Sequence, residues 1–137
     1  MESHLAQAAH NRDLHDCIGE KFPTKFFDWK ITILFYTAIH YMKALAAMRH
    51  INIGETHQDI EKNVNPDRPG PVMPIKRKAW TAYKSLYRYS QTARYHGITD
   101  FETFERLKEV DYKECLKHFD DFKKYVKGQG VPIPDDE

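Results

Sequence analysis

The segment Trp29–His50 reads W-K-I-T-I-L-F-Y-T-A-I-H-Y-M-K-A-L-A-A-M-R-H and decides the fold. It contains neither proline nor glycine, the two residues that fit worst inside a helix. Its apolar residues recur every three or four positions, the spacing that places side chains on one face of an α-helix. These residues are Ile31, Leu34, Phe35, Ala38, Tyr41, Met42 and Leu45. The pattern predicts a long helix that buries one side.

Similar patterns on either side predict further helices. The full predicted set is about Glu2–Gly19, Trp29–His50, His57–Val64, Ile75–Tyr95 and Phe101–Val126. Between the third and fourth of these, Asn65–Pro74 holds four prolines and a glycine and predicts a long connector. No period-two strand pattern competes. We therefore predict an all-α fold, a four-helix up-down bundle with an additional short helix and a long Pro-rich connector between its second and third long helices.

Size and composition favour one domain. Among 137 residues, we assign 1–127 to a single helical domain and 128–137 to an extended or disordered C-terminal tail. No apolar run reaches the length that spans a bilayer, and no secretory signal is visible, so we expect a cytoplasmic protein without a membrane partner. Cys17 and Cys115 form no metal-binding pair and favour a reduced intracellular protein, although one disulfide stays open.

Positive charge is concentrated in one segment rather than spread over the chain. The formal net charge is only +1, which argues against a surface coated in cations for bulk binding of nucleic acid. Lys76–Arg94 nevertheless carries six lysines and arginines and no acidic residue. Aromatic residues alternate with these cations in Tyr83–Gly97, which reads Y-K-S-L-Y-R-Y-S-Q-T-A-R-Y-H-G. Any RNA or nucleotide would therefore bind locally, at this helix.

Three local motifs occur in an order that resembles the HEPN superfamily of small helical-bundle domains. Phe35–Leu45 is similar to that family's Y-x-A-x-x-H-x-x-K-A-L helix, and Gly54-Glu55-Thr56-His57 is similar to the segment after it. The run from Arg88 to Ala93-Arg94-Tyr95 resembles the family's arginine-rich third helix with its terminal aromatic residue. The resemblance covers about residues 28–126.

The resemblance implies a homodimer whose third long helices lie near a shared cleft. It implies one of three roles: a metal-independent RNase of toxin–antitoxin or antiviral defence systems, a partner of a small nucleotidyltransferase, or a non-catalytic nucleotide-binding module. In catalytic members, four to six residues separate an arginine from the histidine that follows it. Here seven residues separate Arg88 from His96, although positions eight apart still share a helix face.

Residues in and near this segment are the candidates for chemistry. His96 would serve as general base or acid in RNA cleavage, while Arg88 and Arg94 would hold the phosphate. Tyr87, Tyr89 or Tyr95 would stack a base. The alternative is that both arginines pair with acidic residues of the following helix and that His96 is a solvated residue at a helix end.

Other candidate ligand-binding residues come from earlier in the chain. Tyr36 and His40 lie one turn apart and would line the cleft, unless His40 is a core histidine with its own partner. Thr56 and His57 begin a helix whose free N–H groups could receive an anion, unless Thr56 simply caps the helix. No histidine spacing matches a helical zinc site, so we predict neither a metal site nor a cofactor.

The leading functional prediction is an RNA- or nucleotide-binding domain, with metal-independent endoribonuclease activity as its enzymatic form. The alternative is a non-catalytic dimerising module that partners another protein, such as a nucleotidyltransferase or an antitoxin.

Overall fold

The computed structural model describes residues 1–94 and 101–134, with only the backbone described for 94 and 101–104. All regular structure in these residues is helical, which confirms the predicted all-α class. The helices are α1 (Glu2–Lys21), α2 (Phe27–Met48), α3 (His57–Val64), α4 (Arg77–Arg94) and α5 (Phe101–Gly128).

Helix α2 is the centre of the helical bundle and packs against α1, α4 and α5. Its predicted apolar face is buried, since Ile31, Ala38, Met42 and Leu45 are inaccessible to solvent. The N-cap position of α2 belongs to Phe26, and Asp28 lies inside the first turn.

Helix α2 is also the one described helix long and apolar enough to cross a membrane, contrary to the expectation from sequence. Because 56% of its most apolar window is buried inside the bundle, α2 fits the core helix of a soluble protein. Length and composition are therefore weak evidence for a span here.

The core between α2, α4 and α5 is rich in aromatic rings. Tyr83 of α4 lies beside Phe35 of α2 and Phe122 of α5, with ring centroids 5.8 Å apart in both pairs. Leu86 and Val126 are fully buried in the same core. Met73 and Ile75, which precede α4, belong to the same core.

Polar side chains help to hold α1, whose buried residues are only Ala8 and His15. The Nε2 atom of His15 lies 2.7 Å from the Tyr112 hydroxyl of α5, and its Nδ1 atom lies 3.1 Å from Asp16. Near the other end of α1, His4 contacts α2. Each end of α1 is thus attached to the bundle by a histidine.

The connector between α3 and α4 is anchored rather than loose. The N–H groups of Met73 and Ile75 donate to the carbonyl groups of Asn63 and Val64, and both apolar side chains are buried. Arg77 at the start of α4 pairs with Asp67 of the connector at 2.6 Å. With these contacts in place, α4 begins at Arg77, two residues after the predicted Ile75.

The segment assigned to a tail begins with residues that join the core. Helix α5 ends at Gly128, and the chain then turns at Gly130 with φ 106°. Val131 and Ile133 are 1% and 4% exposed. The first part of the segment therefore packs against the bundle.

Candidate nucleic-acid interface

The ring of His57 lies flat on the ring of Tyr87, and this contact joins α3 to α4. The two centroids are 3.5 Å apart and the ring planes differ by 13°. The Nδ1 atom of His57 also lies 3.1 Å from the hydroxyl oxygen of Tyr83. Stacking and a hydrogen bond together fix the orientation of the imidazole.

A capping box at the start of α3 places His57 in this position. The Thr56 hydroxyl accepts from the N–H of Asp59, and the Asp59 carboxylate accepts from the N–H groups of Glu55 and Thr56. This confirms Thr56 as the N-cap of α3. The Thr56 hydroxyl thus occupies the N–H of Asp59, one of the first-turn donors that an anion would otherwise use.

The turn that leads into the capping box depends on Gly54. Its φ of 87° is a conformation that other residues rarely adopt, and a Cβ atom there would lie 2.4 Å from the Cβ of Asp59. The glycine of the Gly54–His57 motif therefore serves the turn that presents His57 to α4.

Glu61 and Lys84 place charge beside the stacked rings. The Glu61 carboxylate accepts from the Lys84 ammonium at 2.9 Å and lies 3.6 Å from Arg68 and 3.7 Å from Nε2 of His57. The hydrogen bond from Lys84 lowers the pKa of Glu61. Burial, then the charge of Lys84, lower the pKa of His57. The pair therefore favours a charged carboxylate beside a neutral imidazole at neutral pH.

Three cations of α4 share one face of that helix. Arg77, Lys84 and Arg88 are spaced by seven and four residues, which places them in one stripe along the surface. Arg77 and Lys84 are paired with carboxylates, whereas Arg88 is exposed and has no ion-pair partner among the described residues. Within the described part of the chain, Arg88 is thus the one cation of this stripe whose charge no carboxylate neutralises.

Aromatic rings extend the site from α4 to α2. Phe35 lies 5.6 Å from Tyr87 and 5.5 Å from Tyr36 between ring centroids. Tyr36 is 41% exposed, so part of its ring faces solvent. The Lys84 ammonium lies 5.0 Å from the centroid of the Tyr87 ring. The site therefore combines an exposed ring, a stacked pair and two neighbouring cations.

Some of the predicted site residues lie together on one surface, and others do not. Tyr36, His57, Tyr87 and Arg88 belong to the surface just described, with Thr56 supporting it. His40 lies elsewhere, against α1, where its Nδ1 atom is 3.2 Å from Nδ1 of His4. This placement matches the alternative of a histidine with its own partner rather than a ligand of the α4 surface.

The end of α4 carries the remaining predicted residues. Arg94 is the last residue of α4, and its side chain lies outside the described residues. Tyr95 and His96 also lie outside them. Of the three predicted catalytic residues Arg88, Arg94 and His96, only Arg88 therefore has its side chain among the described residues.

Sequence reasoning did not select Glu61 or Arg68 as site residues. Glu61 carries a recognisable signal, because it lies one helical turn after His57 on the short helix α3. Arg68 carries no such signal, because its approach to Glu61 depends on the path of the connector between α3 and α4. Within the described residues, no three metal-binding side chains come together.

Comparison with protein-family models, with curated proteins and with solved structures finds no match to this chain.

Proposed function

We propose that this chain is a HEPN-like module, a four-helix up-down bundle with α3 as the additional short helix, that binds RNA or a nucleotide through the exposed face of α4. The observation that carries the proposal is the stacked pair of His57 and Tyr87 together with the next residue in sequence, Arg88, which is exposed and has no ion-pair partner among the described residues. A cytoplasmic location accords with this role.

Each part of the surface supplies one contribution to such binding. Arg88 offers a planar guanidinium that pairs with two phosphate oxygens. The exposed part of Tyr36 offers a face on which a base can stack, a contact worth about 1–3 kcal/mol. Lys84 and Arg77 add charge to the same stripe, although a phosphate must compete there with Glu61 and Asp67. Single-stranded RNA fits because its bases are free to stack.

The described geometry supports binding more directly than catalysis. The Nε2 atom of His57 is shielded from solvent and faces Glu61, so this imidazole cannot reach a substrate proton without moving. A metal-independent endoribonuclease, of the toxin–antitoxin or defence type, would instead use His96 as base or acid, with Arg88 and Arg94 on the phosphate. That activity is the enzymatic form of the proposal.

Fluorescence anisotropy with a labelled single-stranded RNA at low salt tests the binding proposal. Arg88→Ala should weaken binding at least about tenfold, since a charge-assisted hydrogen bond is removed. Tyr36→Ala should weaken it at least about fivefold through lost stacking. The matched control is Lys117→Ala, which removes an exposed lysine of α5. Equal losses in Arg88→Ala and Lys117→Ala would refute the α4 surface.

Incubation of the same RNA with excess EDTA tests the catalytic form. Cleavage by the wild-type protein that His96→Ala and Arg88→Ala both abolish would establish a metal-independent RNase. Binding without cleavage would restrict the function to recognition.

Exposed apolar residues favour a second function, a non-catalytic module that forms a homodimer or binds a nucleotidyltransferase or an antitoxin. Trp29, Leu107 and Val110 are 60%, 48% and 61% exposed, and large apolar side chains of this kind are typical of interfaces. Trp80 and Tyr83, two large aromatic residues of α4, are buried in the core and do not contribute to such a surface. Sedimentation equilibrium distinguishes a dimer from a monomer directly.

A further inference from the structure

A cavity of about 670 Å³ lies where the α1–α2 connector, the first turn of α2 and residues 105–109 of α5 meet. Its volume falls within the range of about 300–1,000 Å³ that is typical of small-molecule sites. It shares no residue with the α4 surface. Its lining is Thr24, Lys25, Phe26, Phe27, Asp28, Trp29, Glu105, Arg106 and Glu109.

Aromatic rings form one part of this cavity. Trp29 is 60% exposed and Phe26 is 41% exposed, so two large rings of the lining face solvent. Phe26 has a φ of 61°, a left-handed conformation that is unfavourable for a residue with a side chain. Its ring meets Phe22 edge-on, with centroids 4.9 Å apart. Phe26 thus has an unfavourable backbone conformation, and its aromatic ring lines the cavity.

Carboxylates form the other part. Among the described residues, the Oε2 atom of Glu105 is shielded from solvent and has no hydrogen-bond partner. Burial, then the nearby charge of Asp28, raise the pKa of Glu105. Glu109 adds a third carboxylate to the lining. Glu105 is therefore a poorly solvated acid that would gain from a cation in the cavity.

The cations nearby meet this need only in part, because Lys25 and Lys30 lower the pKa of Glu105 by less than burial and Asp28 raise it. The buried Lys30 donates to the carbonyl oxygen of Phe22 at 2.7 Å and lies 4.4 Å from the centroid of the Phe27 ring. Lys25 and Arg106 also line the cavity, but both are exposed. Among the lining residues, three carboxylates face these two exposed cations, while the third nearby cation, Lys30, is buried outside the lining.

We propose that this cavity binds an organic cation, an alkylammonium or guanidinium group, between the aromatic faces of Trp29 and Phe26 and the carboxylates of Glu105 and Asp28. A cation over an aromatic face is attracted by the electron density of the ring, and the attraction strengthens where water is excluded. The neighbouring carboxylate supplies the counter-charge.

The intrinsic fluorescence of the protein provides the assay. The chain has two tryptophans, and Trp80 is 6% exposed, so a probe in the cavity acts on Trp29. Titrations at constant ionic strength would use N-acetyl-arginine amide, spermidine and tetramethylammonium, with N-acetyl-citrulline amide as the neutral control. We expect saturable changes with the cations and none with citrulline. Preference for the arginine amide would indicate a polypeptide side chain, and preference for spermidine a free polyamine.

Variants then assign the site. Glu105→Gln should weaken binding at least about tenfold, since it removes a charged partner. Asp120→Asn is the matched control, because it removes an exposed carboxylate near the other end of α5. The indole N–H resonance of Trp29 in the unmodified protein gives a readout that does not depend on any variant folding. The absence of saturation with every cation, saturation with acetate instead, or equal affinities in Glu105→Gln and Asp120→Asn would overturn the proposal.

Discussion

Lowering the pH from about 7 to about 5 should destabilise the fold, because several histidines are held in surroundings that disfavour their charged form. Burial is the largest cause of a lowered pKa at His4, His15, His40 and His57. A histidine whose pKa in the folded state lies below its ordinary value of about 6.5 binds fewer protons than it does in the unfolded chain. Its contribution to stability is complete above that pH and is lost as the pH falls through the lower pKa.

The structure sets the size of this effect. Each proton that the unfolded chain binds in excess changes the free energy of unfolding by at most about 1.4 kcal/mol per pH unit. His15 and His57 have side chains only 10% and 18% exposed, so together they give a slope of up to about 2.7 kcal/mol per pH unit. Glu105 acts in the opposite direction with one proton at most, since its pKa is raised. The total stability of a small domain is only about 5–15 kcal/mol.

Urea unfolding followed by circular dichroism at a series of pH values measures the slope. His15→Gln keeps a polar partner for the Tyr112 hydroxyl but cannot titrate, so the slope should fall by about 1 kcal/mol per pH unit. The matched control is His10→Gln, which removes an exposed histidine from the same helix. A stability that is flat between pH about 7 and about 5, or equal slopes for the two variants, would refute the reasoning.

Two further predictions concern the backbone and are measured by the same unfolding assay. Gly54→Ala should lower the free energy of unfolding by about 3 kcal/mol, because a Cβ atom there meets Asp59 and disrupts the capping box. The control Gly70→Ala, in open space at φ 68°, should lower it by only about 1 kcal/mol. Equal losses in the two variants would contradict the role of the capping box. His50→Gly should stabilise the protein by about 1 kcal/mol, because His50 is exposed and occupies the left-handed position after α2 at φ 57°. A loss of stability would show that the His50 side chain contributes more than its backbone conformation costs.

Much of the fold could be predicted from local sequence pattern. The stripe in Trp29–His50 identified α2 because every apolar position in it serves one buried face. Thr56 identified the start of α3 because its cap is satisfied within four residues. The arrangement of the helices around α2 depends on contacts between distant residues, and no local pattern encodes it.

The candidate site could be predicted in part for the same reason. Tyr87 and Arg88 belong to a continuous basic and aromatic segment, so the sequence shows them as neighbours. The partner of Tyr87 is His57, which is 30 residues away, and it arrives there through the capping box and the connector. His40 meets His4 across 36 residues, which depends on the register between α1 and α2.

The central position of α2 has a consequence for protein synthesis. Helices α4 and α5, which cover much of α2, follow it in the chain. During translation, a ribosome therefore exposes this apolar helix for the time needed to make the residues up to Gly128. At about 5–20 residues per second, that interval lasts several seconds. The nascent chain should therefore be a client of chaperones that shield apolar segments, even though the finished bundle buries the same residues.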